Sequence, residues 1–194
     1  MQIDIIKVGE LDTNCYIVSD GTSKDALVID PGDDAEKILD TLRERGLEPV
    51  YIVNTHGHYD HTGANRELKE KTKALLLIHE LDTFGYAMTD SPPPDRYLKD
   101  NDRLEVAGLV FTVIHCPGHS PGGISLYCEK EKTVFTGDTL FYGTYGRTDL
   151  LYSSQKDMEA TLKILLKLPP ETKVYPGHGW ATTIGREQGL LDEL

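Results

Sequence analysis

Apolar residues along the chain follow two spacings, one typical of strands and the other typical of helices. Short apolar runs that end at glycine, proline or charged turns predict strands. The predicted strands are 3–8, 15–19, 26–29, 50–53, 74–78, 109–114, 124–128, 133–136 and 173–175. Ala35, Ile38, Leu39 and Leu42 recur at helical spacing, which predicts a helix that begins after Asp33 or Asp34 and ends at Gly46. Further helices are predicted at 63–71, 80–88 and 153–168.

The order of these elements predicts the architecture. Two β-rich halves are each followed by helices, which favours one sheet packed on another with the helices outside. Three consecutive prolines within Thr89–Asp95 remove backbone donors, so this segment is predicted to be a loop. A chain of 194 residues is within the usual size of one domain, and we expect a single domain over 1–194 with its motifs between 12 and 178.

The charge balance narrows the possible partners. The chain has 20 basic and 32 acidic residues, a formal net charge of −12. Because Lys and Arg supply most of the affinity for phosphates, this balance argues against nucleic acid as a partner. No secretory leader and no run of about 18 uncharged apolar residues is visible, so we expect no membrane partner and a cytoplasmic location. The odd number of cysteines, without a Cys-x-x-Cys pair, fits a reducing cytoplasm.

A cluster of histidines is the clearest chemical signal. The segment His56–His61 contains three of the seven histidines and one aspartate, directly after the predicted strand 50–53. Imidazole nitrogens and carboxylate oxygens are the usual ligands of zinc and of neighbouring first-row metals. The segment therefore predicts a metal centre at a sheet edge.

Three more candidate ligands, His119, Asp138 and His178, share one setting. Each follows a predicted strand and is directly preceded by a glycine. Glycine lets the chain turn tightly where a strand ends, so each side chain can point into a shared cleft. With the histidine cluster, four separate strand ends offer metal ligands.

The motifs resemble those of the metallo-β-lactamase superfamily, and specifically its glyoxalase II-like branch, from Asp12 to about Thr183. They are Asp30-Pro31-Gly32, His56–His61, Pro117-Gly118-His119, Gly137-Asp138-Thr139-Leu140-Phe141 and Pro176-Gly177-His178-Gly179, in the order of the family. The resemblance implies an α+β fold, a four-layer αββα sandwich with the metal site along one edge of its two sheets.

The resemblance also implies two divalent metal ions per chain, with Zn²⁺ as the leading candidate and Fe or Mn as alternatives. The first ion would be held by His56, His58 and His119, the second by Asp60, His61 and His178, and both by a bridging Asp138. Asp30 resembles a buried carboxylate of the family that orients a ligand imidazole.

By this resemblance we predict a metallo-hydrolase whose metal-bridged hydroxide cleaves a small-molecule acyl thioester or ester. Asp60 is the candidate for moving the proton of the nucleophile. A thioester suits this chemistry because a thiol has a pKa of about 8.5 and leaves readily as a thiolate. We therefore expect a hydroxyacylglutathione-like substrate, with Arg147 as a candidate contact. Classical glyoxalase II binds glutathione with an extra C-terminal helical region, and only a short segment follows His178 here, so recognition of glutathione itself stays open.

Other functions of the same residues remain open. Persulfide dioxygenases resemble this family and use one iron at the first position, and hydrolysis of another ester or a lactone would need the same ligands. A nuclease is disfavoured by the acidic charge. His79 is expected to pack or to cap a helix, His115 is not expected to be a ligand, and Trp180 either lines the pocket or packs the C-terminal segment.

Overall fold

A computed structural model describes residues 1–193. Its strands form two six-stranded sheets and one short hairpin. The first sheet contains, in order, β1 (Gln2–Val8), β2 (Thr13–Ser19), β3 (Asp25–Ile29), β4 (Glu48–Val53), β5 (Leu75–His79) and β6 (Arg96–Leu98). The second contains, from edge to edge, β14 (Thr182–Thr183), β13 (Lys173–Pro176), β10 (Thr133–Gly137), β9 (Ile124–Cys128), β8 (Leu109–His115) and β7 (Arg103–Val106). The hairpin pairs β11 (Leu140–Phe141) with β12 (Thr144–Tyr145).

Five α-helices lie between and after these strands in the described residues. They are α1 (Ala35–Arg45), α2 (Tyr59–Thr62), α3 (Asn65–Thr72), α4 (Gln155–Leu165) and α5 (Ile184–Glu187). Two 3-10 segments, Glu80–Met88 and Gln188–Glu193, complete the elements. Helix α1 ends at Gly46, as predicted, in the left-handed conformation that glycine adopts without strain. Asp34 occupies its N-cap position, although its carboxylate accepts a hydrogen bond from the Gly9 amide instead of capping the helix.

Strand β2 shows how alternation along a strand builds separate hydrophobic layers. Cys15 and Ile17 face the core beneath α1 and α3, whereas Tyr16 and Val18 face the core between the sheets. A third core joins the second sheet to α4 and α5. Burial of each large side chain contributes roughly 1.5–3 kcal/mol. The layers are therefore helix, sheet, sheet and helix, and the predicted α+β αββα sandwich is confirmed.

The nine predicted strands are all present, with ends that shift by at most two residues. Five short strands, β6, β7, β11, β12 and β14, were not predicted. They have two to four residues each, too few for a clear periodicity. The segment predicted as one helix at 63–71 is α3 preceded by the separate turn of α2, and the predicted helix at 80–88 is a 3-10 segment.

Strand direction determines where the site can lie. Strand β3 runs parallel to β4, β10 runs parallel to β13, and β8 has the same direction as β10 because both are antiparallel to β9. The carboxyl ends of β3 and β4 consequently lie at one edge of the first sheet, and those of β8, β10 and β13 lie at one edge of the second. The short distances between donor atoms of His56, His119 and Asp138 bring these two edges together. Among residues 1–193, no helix has both the length and the apolar character that a bilayer crossing requires.

Candidate metal centre

The predicted ligands all follow the carboxyl ends of strands at this edge. His56 and His58 lie on the loop after β4, Asp60 and His61 lie on α2, and the remaining three follow β8, β10 and β13. The structure brings their donor atoms together in groups within which they are no more than 4.8 Å apart. We call His56, His58 and His119 the first donor group and Asp60, His61 and His178 the second donor group.

The donor atoms are close enough to share an ion. In the first donor group, Nδ1 of His58 lies 3.0 Å from Nε2 of His119. In the second, Nε2 of His61 lies 3.3 Å from Nε2 of His178, and Oδ2 of Asp60 lies 3.2 Å from the latter. Two nitrogens on one tetrahedral Zn²⁺ would be about 3.3 Å apart. Both groups therefore have the dimensions of a metal site.

Asp138 lies between the two groups. Its Oδ2 atom is 3.6 Å from Nε2 of His119 and 3.6 Å from Nε2 of His178. Its Oδ1 atom is 3.5 Å from Nε2 of His61. A single carboxylate thus lies within 3.6 Å of imidazole nitrogens of both groups.

The hydrogen bonds leave unpartnered acceptors in the centre of the site. Nδ1 of His61 faces Oδ2 of Asp30 at 3.0 Å, and Nδ1 of His178 faces the Leu11 carbonyl at 3.1 Å. In a neutral His178 ring, the Leu11 carbonyl places the proton on Nδ1 and the lone pair on Nε2, which faces Nε2 of His61. Nε2 of His56 and Oδ1 of Asp138 are also buried, with no hydrogen-bond partner within residues 1–193. Converging acceptors of this kind require a cation, and the donor set fits divalent metal ions.

Asp30 supports the site from behind, where the sequence predicts an orienting carboxylate. It is buried, and its oxygens accept hydrogen bonds from the amide and the hydroxyl of Thr55, both at 2.7 Å. The Thr55 hydroxyl in turn lies 3.2 Å from Nδ1 of His56. Asp30 thus contacts His61 directly and reaches His56 through Thr55, a connection that the sequence analysis did not predict.

The two donor groups differ in their electrostatics. Burial, followed by the neighbouring imidazoles, lowers the pKa of His56 and of His58. Burial acts in the same direction on the pKa of His61, but the carboxylates of Asp138 and Asp30 raise it well above its ordinary value. The pKa of His178 is raised against burial by Asp60 and Asp138. Burial alone would raise the pKa of Asp60, yet hydrogen bonds from His178 and His61 hold it well below its usual range.

Close backbone approach at Gly177 lets the second sheet contribute to the site. A Cβ atom on Gly177 would lie 2.2 Å from Oδ1 of Asp138 and 2.7 Å from Cε1 of His61. Real Cβ atoms do not come this close, so a larger residue here would displace two predicted ligands.

A buried carboxylate outside the predicted set also contacts the ligand loops. Asp82 is fully buried and accepts hydrogen bonds from the amide of Gly57, the hydroxyl of Ser120 and the amide of Gly122. In the sequence, Asp82 is one acidic residue in a segment that mixes polar and apolar residues. Such a pattern ordinarily indicates a solvated helix face. Asp82 was therefore not predicted as part of the site.

The other predicted residues lie at the periphery. The exposed side chain of Arg147 is paired with Asp149 at 2.7 Å, while its backbone carbonyl lies 3.0 Å from Nδ1 of His119. The ring of His79 caps the 3-10 segment at the Leu81 amide and stacks on His115 at 4.4 Å between ring centres, which agrees with its predicted capping role. Trp180 is exposed and contacts Tyr142 edge-on.

The chain is similar to known proteins over nearly its whole length. Residues 8–178 match the family model of the metallo-beta-lactamase superfamily. The chain is 36% identical over 203 residues to hydroxyacylglutathione hydrolase GloC of Haemophilus influenzae, an alignment that covers 97% of this chain and 95% of that protein.

Two solved structures are similar over nearly their whole length. One is BLEG-1 B3 metallo-beta-lactamase, with a TM-score of 0.92, 33% identity and coverage of 98% of this chain and 99% of that chain. The other is TTHA1623 in a di-iron-bound form, with a TM-score of 0.88, 41% identity and coverage of 95% and 96% respectively.

Proposed function

The chain belongs to the metallo-β-lactamase superfamily, whose members bind divalent metals, and on this premise we propose that it is a hydrolase of acyl thioesters of the hydroxyacylglutathione type. The observation that carries this proposal is the pair of complete donor groups that share Asp138 at one edge of the sandwich. The full-length similarity to a hydroxyacylglutathione hydrolase supports the thioester as the substrate class.

We assign one ion to the first donor group, one to the second donor group, and Asp138 to both. Zn²⁺ suits the nitrogen-rich first group, and the di-iron form of TTHA1623 makes iron the alternative. When bound, such ions lower the pKa of water towards neutrality and polarise the carbonyl of an ester or thioester.

Asp60 is proposed to orient the attacking water. Its carboxylate accepts a hydrogen bond from the hydroxyl of Thr13 at 3.3 Å and contacts two imidazoles of the same group. Because its pKa lies well below the usual range, Asp60 is ionised at neutral pH and can accept a hydrogen bond from water. Its position beside the imidazoles of His61 and His178 favours a role in orienting a hydrogen of the attacking water.

Cys116 and Ser120 lie beside the site, but neither is suited to form a covalent intermediate. Burial raises the pKa of the Cys116 thiol to about 12, and its sulfur contacts the hydroxyl of Ser125 at 3.2 Å. The hydroxyl of Ser120 donates to Asp82 at 2.6 Å. Neither side chain therefore provides a thiolate or an activated serine hydroxyl, which supports direct attack by water.

Hydrolysis of a β-lactam ring is the second candidate. The specific observation in its favour is the TM-score of 0.92 to BLEG-1 B3 metallo-beta-lactamase. A thioester and a β-lactam both present a carbonyl carbon to the nucleophile, so the fold and the donor groups do not separate them.

One set of measurements tests both candidates. The protein loaded with Zn²⁺ or Fe²⁺ is assayed on S-lactoylglutathione, on a cephalosporin and on a simple lactone, and oxygen uptake is followed with glutathione persulfide. We expect two ions per chain and the highest kcat/KM on the thioester. A higher kcat/KM on the cephalosporin would transfer the proposal to lactam cleavage, and oxygen uptake with one iron per chain would reject hydrolysis.

A further inference from the structure

Among residues 1–193, the buried carboxylate of Asp82 accepts hydrogen bonds from neutral groups, and it lies outside the segments that contain the predicted ligands. It lies in the 3-10 segment that follows β5. A buried charge without a cation is costly unless hydrogen bonds compensate for it. Here three donors do so, at 3.0 Å from Gly57, at 2.6 Å from Ser120 and at a still shorter distance from Gly122.

The residues that donate these hydrogen bonds include neighbours of the first donor group. Gly57 lies between His56 and His58, and Ser120 directly follows His119. The carboxylate consequently bonds to backbone or side-chain atoms adjacent to every member of the first donor group. It joins a loop of the first sheet to a loop of the second sheet, so the separation of the two loops depends on it.

Packing makes this connection rigid. A Cβ atom on Gly57 would lie 1.9 Å from the carbonyl oxygen of Asp82, and one on Gly85 would lie 1.6 Å from the carbonyl oxygen of Gly57. The ligand loop therefore rests directly on the backbone of the 3-10 segment. A loop in such close contact cannot shift unless the segment shifts with it.

The second donor group is held by other atoms. His61 contacts Asp30, His178 contacts the Leu11 carbonyl, and Asp60 accepts from Thr13. None of the hydrogen bonds of Asp82 involves a residue of this group or one of these supporting atoms.

We propose that Asp82 is a positioning residue that sets the metal affinity of the first donor group and leaves that of the second donor group unchanged. This inference rests on the ligand assignment under the proposed function, but not on the substrate. Loss of a residue that supports metal ligands usually weakens metal binding by about 10- to 100-fold. Because Asp82 acts through the loops and not on an imidazole, we expect the lower end of that range.

The test measures each group alone. His178→Ala disables the second donor group, and His58→Ala disables the first. In each background the metal-free protein is titrated with Zn²⁺ in competition with a chromophoric chelator, with and without Asp82→Asn. We expect Asp82→Asn to raise the dissociation constant about tenfold in the His178→Ala background and less than twofold in the His58→Ala background.

A parallel loss in both backgrounds, or no loss in the first, would overturn the proposal, because a purely structural role moves both affinities together. Ser120→Ala, which removes one hydrogen bond and keeps the carboxylate, should produce a smaller loss confined to the same group. It decides the question alone if Asp82→Asn does not fold. The titration uses no substrate, so inactivity towards thioesters does not affect it, whereas failure of the parent protein to bind Zn²⁺ would overturn both proposals.

Discussion

The two donor groups contain similar side chains but are held in different ways. The first donor group is all imidazole, and burial with mutual repulsion lowers the pKa of His56 and His58. The second contains a carboxylate, and acidic neighbours raise the pKa of His61 and His178. A proton therefore competes with a metal ion for the second group more than for the first. One site thus combines a group whose buried imidazoles disfavour protonation at His56 and His58 with a group that contains a carboxylate, and Asp138 lies between them.

Removal of one candidate ligand should have the largest effect on metal content and activity. His119→Ala should reduce the bound ions from two to one and lower kcat/KM on the thioester by about 10³-fold, because metal polarisation supplies several kcal/mol. His79→Ala, a histidine that only caps and stacks, should leave most of the activity. Elemental analysis and steady-state kinetics check both, and equal losses would show that the ligand set is wrong.

A substitution at Gly177 should disturb Asp138, the carboxylate that lies between the two donor groups. In Gly177→Ala the new Cβ atom would push against Asp138 and His61, and displacement of catalytic groups by about 1 Å can cost 10²-fold in rate. We expect a loss of about that size and weaker binding of both ions. Gly189→Ala is the control, because no atom lies within 4 Å of its added Cβ. Full activity of Gly177→Ala, measured by kinetics, would contradict the placement of Asp138 between the groups.

Substitution of Asp30 should affect the zinc affinities of the two donor groups unequally. Asp30→Asn weakens the acceptor for Nδ1 of His61, and we expect the zinc affinity of the second donor group to fall between about 10- and 100-fold. The first donor group should lose less, because Asp30 reaches His56 only through Thr55. Zinc titration in the His58→Ala background measures the affinity of the second donor group, and titration in the His178→Ala background measures that of the first. Asp20→Asn, in an exposed turn remote from the site, is the matched control.

The ligands could be predicted from the sequence because their signal is local. His56–His61 is contiguous, and each remaining candidate ligand follows a strand and a glycine, so strand direction and the packing of the two sheets bring them to one edge. The long strands were predicted for a similar reason, since Cys15–Val18 in β2 is a continuous apolar run that ends near a turn. Strand β7 alternates over only four residues and depends on its pairing with β8, a contact that its own sequence does not specify.

The supporting atoms could not be predicted, because many belong to the backbone or to distant segments. The carbonyls of Leu11 and Arg147, which hold His178 and His119, have no side-chain signature. Asp82 reads locally as one acidic residue among others, and only the packing of the 3-10 segment on the Gly57 loop makes it a connection between sheets. Local patterns thus identify the candidate donor groups, whereas tertiary contacts determine how precisely they are held.

Arg147→Ala has the smallest expected effect, and it tests whether the first donor group depends on this side chain or only on this backbone. The exposed guanidinium is already paired with Asp149, whereas the carbonyl that holds His119 remains after the substitution. We therefore expect unchanged zinc affinity and a rise in KM for an acidic thioester of less than about threefold, since exposed ion pairs contribute little. Arg43→Ala, on the surface of α1, is the control. A KM increase well above this value for S-lactoylglutathione, absent for an uncharged thioester, would instead identify Arg147 as a direct contact of the acidic substrate.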